Sequence, residues 1–180
     1  MNIVEPIRDP AKIEEMKRLL LQQSNRNYFL FVMGINTGLR ISDLLPLKVR
    51  DVKGKSHLLI NEKKTKKRKK FKLNADLRDE IALYIEGKNS DEYLFASTKR
   101  RQPITRTRSY QIIHGTAAKL GLTEIGCHTM RKTFGYHFYR RTRDIATLQM
   151  ILNHSHPQIT LRYIGINQDI MDDAVDRFSL

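Results

Sequence analysis

Cysteine is almost missing from this chain: Cys127 stands alone, so no disulfide can close within it. Acidic residues are scarce as well, 19 against 33 Lys plus Arg, which leaves a formal charge of +14 and a pI near 10.0. A surface of that sign favours a polyanionic partner, with DNA or RNA first. No apolar run is long enough to span a membrane and no signal-peptide core is present, so no membrane association and a cytoplasmic setting are expected. The chain also lacks a GxxxxGK phosphate loop and any cluster of Cys or acidic residues with metal-ligand character, so neither a metal nor another cofactor is expected. Repeats, low-complexity linkers and composition breaks are missing too. One domain over residues 1–180 is therefore expected, and its 40% hydrophobic content is enough to bury a core. Cys127, although next to a His, reads as a small buried residue with no catalytic role.

The positive charge is segregated. Lys63–Lys72 reads KKTKKRKKFK, Lys99–Arg108 reads KRRQPITRTR and Arg140–Arg143 reads RRTR, whereas the tail after Asp169 is acidic. Any one run, taken singly, reads as a solvated charged face; three in so basic a chain point to nucleic acid. Lys63, Lys66, Lys67, Arg68, Lys99, Arg100, Arg101, Arg106 and Arg108 are the candidate phosphate contacts.

Helical periodicity dominates the rest. Asp9-Pro10 supplies an N-cap acceptor and a pre-set φ, and Ile13, Met16, Leu19 and Leu20 then recur on one face. Residues 25–36 are apolar with almost no relief, which predicts a central buried helix closed by a left-handed cap at Gly38. Residues 57–61 and 69–73 alternate as two strands of a charged-turn hairpin. Asn74 opens a helix carrying Leu77, Ile81, Tyr84 and Ile85 and closing at Gly87. The apolar YLF within the connector 88–104 is expected to dock on the core. Residues 105–120 form a helix with Tyr110, Ile113, Ala117 and Leu120 in phase, stopped by Gly121. His128 starts a helix with Met130, Phe134 and Phe138 inward, so Arg131 lies one turn along, near the positive end of the helix dipole, where phosphate is attracted. Asp144 opens the next helix, Asn153 closes it, and Pro157 starts the segment that delivers Tyr163. The expected class is α+β: a mostly helical domain with a small antiparallel hairpin or three-stranded sheet.

Five polar landmarks fall at the edges of these elements: Arg40 in TGLRISDL, the basic hairpin, His128 and Arg131 in HTMR, His154 in LNH, and Tyr163 nine residues later. In that order they resemble the box motifs of the tyrosine recombinase (phage integrase) family, and the resemblance runs over almost the whole chain. It implies the family's catalytic fold and site-specific DNA recombination through a 3′-phosphotyrosine and a free 5′-hydroxyl. Tyr163 would be the nucleophile, Arg40 and Arg131 the clamp on the scissile phosphate, His128 an aid to proton transfer, and His154 a hydrogen-bond donor to the phosphate. A hairpin Lys would protonate the leaving 5′ oxygen. The K-T context selects Lys64, with Lys63 and Lys66 as alternatives. Family members usually have Gly where Asn153 stands, and Asn is the next residue to tolerate a left-handed cap.

The chemistry is self-consistent. A tyrosine with a pKa of about 10 attacks a phosphodiester only where cations stabilise developing negative charge, and guanidiniums give the paired bonds to nonbridging oxygens that Lys cannot. HxxR at a helix start is common by itself, and Tyr110, Tyr136, Tyr139, His57, His114, His137 and His156 read as packing or surface residues. Integrases usually carry a helical core-binding domain before this region; here the first catalytic-domain helix comes within ten residues of Met1, so that domain is expected to be absent or supplied by another protein. The tail, residues 167–180, resembles the segment that family members pack on a neighbouring subunit, so self-association on double-stranded DNA is expected, with folding back on its own core as the alternative. Rival functions are a type IB topoisomerase, a non-cleaving DNA-binding accessory protein of recombinase ancestry, and a metal-dependent rolling-circle nuclease, disfavoured because Ser155 separates the two His.

Overall fold

The computed structural model describes residues 4–61, 68–98, 101–126, 128–166, 175, 176 and 178. Lys63, Lys64, Lys66, Lys67, Lys99, Arg100, Cys127 and most of the acidic tail lie outside the described residues.

The chain begins with α1 (Pro10–Gln23), capped as its sequence demands: the Asp9 side chain accepts from the Ala11 N–H, and Pro10 occupies N1. Ser24 turns the chain directly into α2 (Asn25–Thr37), where Phe29, Leu30, Phe31 and Met33 are fully buried. Each such side chain contributes about 1.5–3 kcal/mol relative to exposure, which makes α2 the centre of the main core. Two short helices follow, α3 (Ile41–Leu44) and α4 (Val49–Val52), then the hairpin of β1 (His57–Asn61) and β2 (Arg68–Lys72). The strands pair antiparallel from His57↔Lys72 to Asn61↔Arg68, and they are the only sheet among the described residues. The expected alternation holds in β1, where Leu58 and Ile60 are buried. The second strand starts one residue earlier than expected, at Arg68, and keeps the expected alternation: Phe71 is half-buried on the same side as Lys69, and Leu73 is buried just past the strand end.

Helix α5 (Ala75–Ile85) is capped by Asn74 and buries Leu77, Ile81 and Ile85. Leu94 and Phe95 of the connector dock on the core as expected, and Phe95 and Tyr84 stack on Phe29. Helix α6 (Arg106–Ala118) departs from the sequence reading: Tyr110 is 38% exposed and stacks on His114 instead of packing inward. The buried face is Ser109, Ile112, Ile113, Thr116 and Ala117. Its polar members disguise the stripe, and Thr116 is accommodated by donating to the Ile112 carbonyl and accepting from Gln23.

Helix α7 (Thr129–Thr142) then runs across two hydrophobic clusters. Met130 belongs to the main core, whereas Tyr136 belongs to a smaller one with Leu148 and Leu152 of α8 (Ile145–Leu152), Ile164 of α9 (Pro157–Ile164) and Ile166. Phe134 and Phe138 are only half-buried, at the edge of the smaller cluster. The first turn of α7 therefore lies at the seam between the two cores.

Candidate active site

The seam gathers the polar landmarks. Gly38 ends α2 with φ 60°, and a Cβ there would come within 2.4 Å of Phe134, so the left-handed turn and the close packing both require glycine. Two residues on, Arg40 takes extended backbone at the N-cap of α3 and reaches a pocket of about 390 Å³ lined also by His128, Arg131, Asn153, His154, Ser155, Ile159 and Tyr163. Larger cavities exist, including one of about 950 Å³ between Val52–Ser56 and α5, but that one collects none of these groups.

His128 is the N-cap residue of α7, with an imidazole that makes no capping bond. Arg131, one turn later, is 4% exposed. Its Nη1 donates to the Gly38 carbonyl at 2.5 Å and its Nη2 to the Leu152 carbonyl at 2.6 Å. Both acceptors lie at helix C-terminal ends, where unpaired carbonyls concentrate partial negative charge. A single guanidinium thus joins the ends of α2 and α8 to the start of α7.

The sequence LNH works as its cap chemistry suggests. Asn153 adopts φ 52°, and the chain turns so that the His154 N–H donates to the Gln149 carbonyl at 3.1 Å while the Gln149 side chain donates to the His154 carbonyl at 3.1 Å. The His154 ring pairs through Nδ1 with the Thr160 hydroxyl at 3.0 Å. Pro157 starts α9, and Tyr163 comes back into the same pocket: its hydroxyl is 3.3 Å from His128 Nδ1, its ring is edge-on to His154 with centroids 5.0 Å apart, and the Lys132 ammonium lies 5.3 Å from its centroid.

Electrostatics follow from this crowding. Burial lowers the His154 pKa to about 4, reinforced by Arg131, Arg40 and Lys69. His128 is also lowered, by burial first and then by Arg106, Arg131, Arg40 and Lys132. Both imidazoles are therefore neutral near pH 7. Burial raises Tyr163, and the charge and hydrogen bonding of Arg131, with Arg40, pull it back. A neutral phenol thus faces a neutral imidazole, beside two guanidiniums.

The pocket brings together Arg40, His128, Arg131, His154 and Tyr163; Lys64 is outside the described residues. Of the basic residues proposed for phosphate contact, Arg68, Arg101, Arg106 and Arg108 are exposed. Arg106 stands at the first position of α6 and acts electrostatically on His128, so that helix start borders the site. Sequence reasoning passed over Lys69, whose ammonium donates to the Ile151 carbonyl, and Lys132 and Thr160. Thr160 was detectable, because it precedes Tyr163 by three residues and so shares its helix face.

This fold and pocket define a tyrosine recombinase domain. Residues 11–169 match the model of the phage integrase family, and the chain belongs to that family, the class of enzymes that carry out site-specific DNA recombination. It is 56% identical over 169 residues to the probable integrase/recombinase YoeC of Bacillus subtilis (strain 168), across 94% of this chain and 93% of that protein. It spans about 60% of the length of further tyrosine recombinases that it matches, 59% in one and 60% in another. The crystal structure of XerA recombinase superposes with a TM-score of 0.76 at 20% identity, over 100% of this chain and 66% of that one. XerH site-specific recombinase bound to a palindromic difH substrate, in a post-cleavage complex, gives 0.72 at 20% identity, over 98% and 54%.

Proposed function

We propose that this domain binds double-stranded DNA and exchanges strands by attack of the Tyr163 phenolic oxygen on a scissile phosphodiester. A bond forms between that oxygen and phosphorus, the bond to the 5′ oxygen breaks, and the products are a 3′-phosphotyrosine and a 5′-hydroxyl; attack by a 5′-hydroxyl reverses the step. The observation that carries this is the Tyr163 hydroxyl 3.3 Å from His128 Nδ1 in a pocket walled by Arg40 and Arg131. His128, neutral because its pKa is lowered, accepts the phenolic proton. Arg40 and Arg131 hold the nonbridging oxygens and stabilise the charge that grows there. His154 donates to the same phosphate, and Lys64 protonates the leaving 5′ oxygen. The scheme needs no metal ion, and the two guanidiniums in the pocket repel a divalent cation.

The exposed Arg68, Arg101, Arg106 and Arg108, of which Arg106 acts electrostatically on His128, suit contacts to the flanking phosphates, and Lys63, Lys66, Lys67, Lys99 and Arg100 are proposed for the same role. The DNA-bound XerH relative supports the same use of this fold. Val175 and Phe178 of the tail are 70% and 69% exposed, which suits packing on a neighbouring subunit assembled on the same DNA. A further protein that supplies a core-binding domain would close the clamp, and the cytoplasm is the compartment where the domain meets its DNA.

Covalent trapping tests the proposal. Wild type and Tyr163→Phe are incubated with nicked suicide duplexes, with and without chelator, and adducts are resolved on a denaturing gel. An adduct from wild type alone is the expected outcome. No adduct from DNA-bound wild type on a duplex carrying a cognate site overturns the proposal in favour of a non-cleaving binder, and an adduct lost only in chelator favours metal-dependent chemistry.

A further inference from the structure

Thr160 has no role in the scheme above, yet it is a hydroxyl with 0% exposure placed against a pocket histidine. A hydroxyl removed from water must give its proton to an acceptor or lose that bond outright. Its partner is His154 Nδ1 at 3.0 Å. The neighbouring acceptor on its own helix, the His156 carbonyl, already receives the backbone N–H groups of Ile159 and Thr160 at 3.2 and 3.4 Å. His154 is held in place from both sides, with its backbone clasped by Gln149 and its ring by Thr160.

A neutral imidazole carries one proton, and the bond made by one ring nitrogen decides what the other can do. If Thr160 donates to Nδ1, the proton sits on Nε2, and the nitrogen that remains for the pocket is a donor. A phosphodiester oxygen offers lone pairs only, so only this tautomer bonds to it. With the opposite tautomer, Nδ1–H would give to the hydroxyl, the buried hydroxyl proton would need another acceptor, and Nε2 would turn a lone pair toward the anion.

We infer that Thr160 is a positioning residue that fixes His154 in the Nε2–H tautomer, so that the helix delivering the nucleophile also sets the proton on the phosphate-facing histidine. Thr160 and Tyr163 lie three residues apart on one face of α9, so docking of the helix brings hydroxyl to ring and phenol to pocket in a single movement. A helix that is not docked leaves the nucleophile out of the pocket and His154 without its tautomer bias. The tautomer inference is argued from the hydrogen-bond geometry and does not depend on the proposed phosphodiester chemistry; its consequence for rate rests on that chemistry.

The direct test is long-range ¹H–¹⁵N correlation on protein labelled at histidine nitrogens, without DNA, at neutral pH, with His154 assigned from His154→Gln. Wild type is expected to show protonated Nε2 and bare Nδ1, Thr160→Val to populate both tautomers, and Thr160→Ser to restore the wild-type pattern. Protonated Nδ1 in wild type, or an unchanged pattern in Thr160→Val, overturns the inference whatever the protein does to DNA. In suicide-substrate assays at saturating DNA, Thr160→Val should slow adduct formation about tenfold, with DNA affinity unchanged and the rate recovered in Thr160→Ser. A rate loss that Ser does not recover, with the tautomer intact, would reduce Thr160 to a packing residue. Absence of any wild-type adduct would count against the phosphodiester chemistry and leave the tautomer result to stand by itself.

Discussion

At the scale of single residues the site is a set of charges whose protonation has been arranged by burial. The folded-state pKa values of His128 and His154 are depressed, the latter to about 4, so both stay neutral where an unfolded-chain histidine would take up a proton. Between pH 6.5 and about 4 the unfolded state binds more protons, and stability must therefore fall as pH falls through that window. Thermal melts are expected to show this acid limb, and His154→Gln is expected to flatten it. Adduct formation by wild type should persist below pH 6.5, because His128 still accepts a proton there; a rate that halves already at pH 6.5 would speak against His128 as base. Arg131 has a structural role beside the chemical one proposed for it. Arg131→Ala leaves the Gly38 and Leu152 carbonyls without their donor, at about 1–3 kcal/mol each. Denaturant melts should register that loss, and Arg131→Lys should recover stability only in part and adduct formation hardly at all. Arg40, HxxR, LNH and Tyr163 were legible in the sequence because their order and local context resemble the family's motifs, with Gly38, Asn153 and Pro157 marking the helix ends beside them. Lys69, Lys132 and Thr160 were not singled out, because what each touches is set by packing between elements distant in sequence or by which helix face is turned inward.

At the scale of elements, the position of Tyr163 depends on how closely α9 lies against α7. A Cβ at Gly135 would meet the Ile164 methyl at 2.7 Å, next to Tyr163 in sequence, and Leu152 at 3.4 Å. Gly135→Ala gains about 1 kcal/mol of helix propensity, while overpacking costs about 1–3 kcal/mol. Since Ile164 is fully buried and cannot swing away, the clash wins. Chemical denaturation is expected to show a net loss of stability, and suicide-substrate assays a slower rate, with DNA affinity retained. Most helix boundaries could be read in advance, since Asp9, Ser24, Asn74, Thr105 and Asp144 all cap by side chain. The inward face of α6 could not, because periodicity counts apolar residues and that face buries Ser109 and Thr116.

For the molecule as a whole, the formal charge of +14 is expected to supply most of its non-specific affinity for DNA. Each phosphate neutralised contributes a slope of about −0.9 to the dependence of log affinity on log salt. Affinity for duplex DNA should therefore fall steeply with salt, and Arg106→Gln should reduce the slope by roughly one unit. The same substitution removes the strongest cationic influence on His128, so the acid limit of adduct formation should move toward higher pH. Salt titrations and pH–rate profiles of this one variant separate the two effects.

The amino end of the described chain is fastened to this machinery. Ile7 donates its N–H to Thr133 at 2.9 Å and accepts from His137 at 2.9 Å, and the paired Glu5 and Arg8 lie against Gly165, two residues beyond Tyr163. Glu5 and Arg8 also act on Lys132, the ammonium beneath the tyrosine ring. Residues 4–9 thus brace the turn that follows α9 against α7. A bulky group fused close to residue 4 is therefore expected to disturb the placement of Tyr163 without touching the pocket.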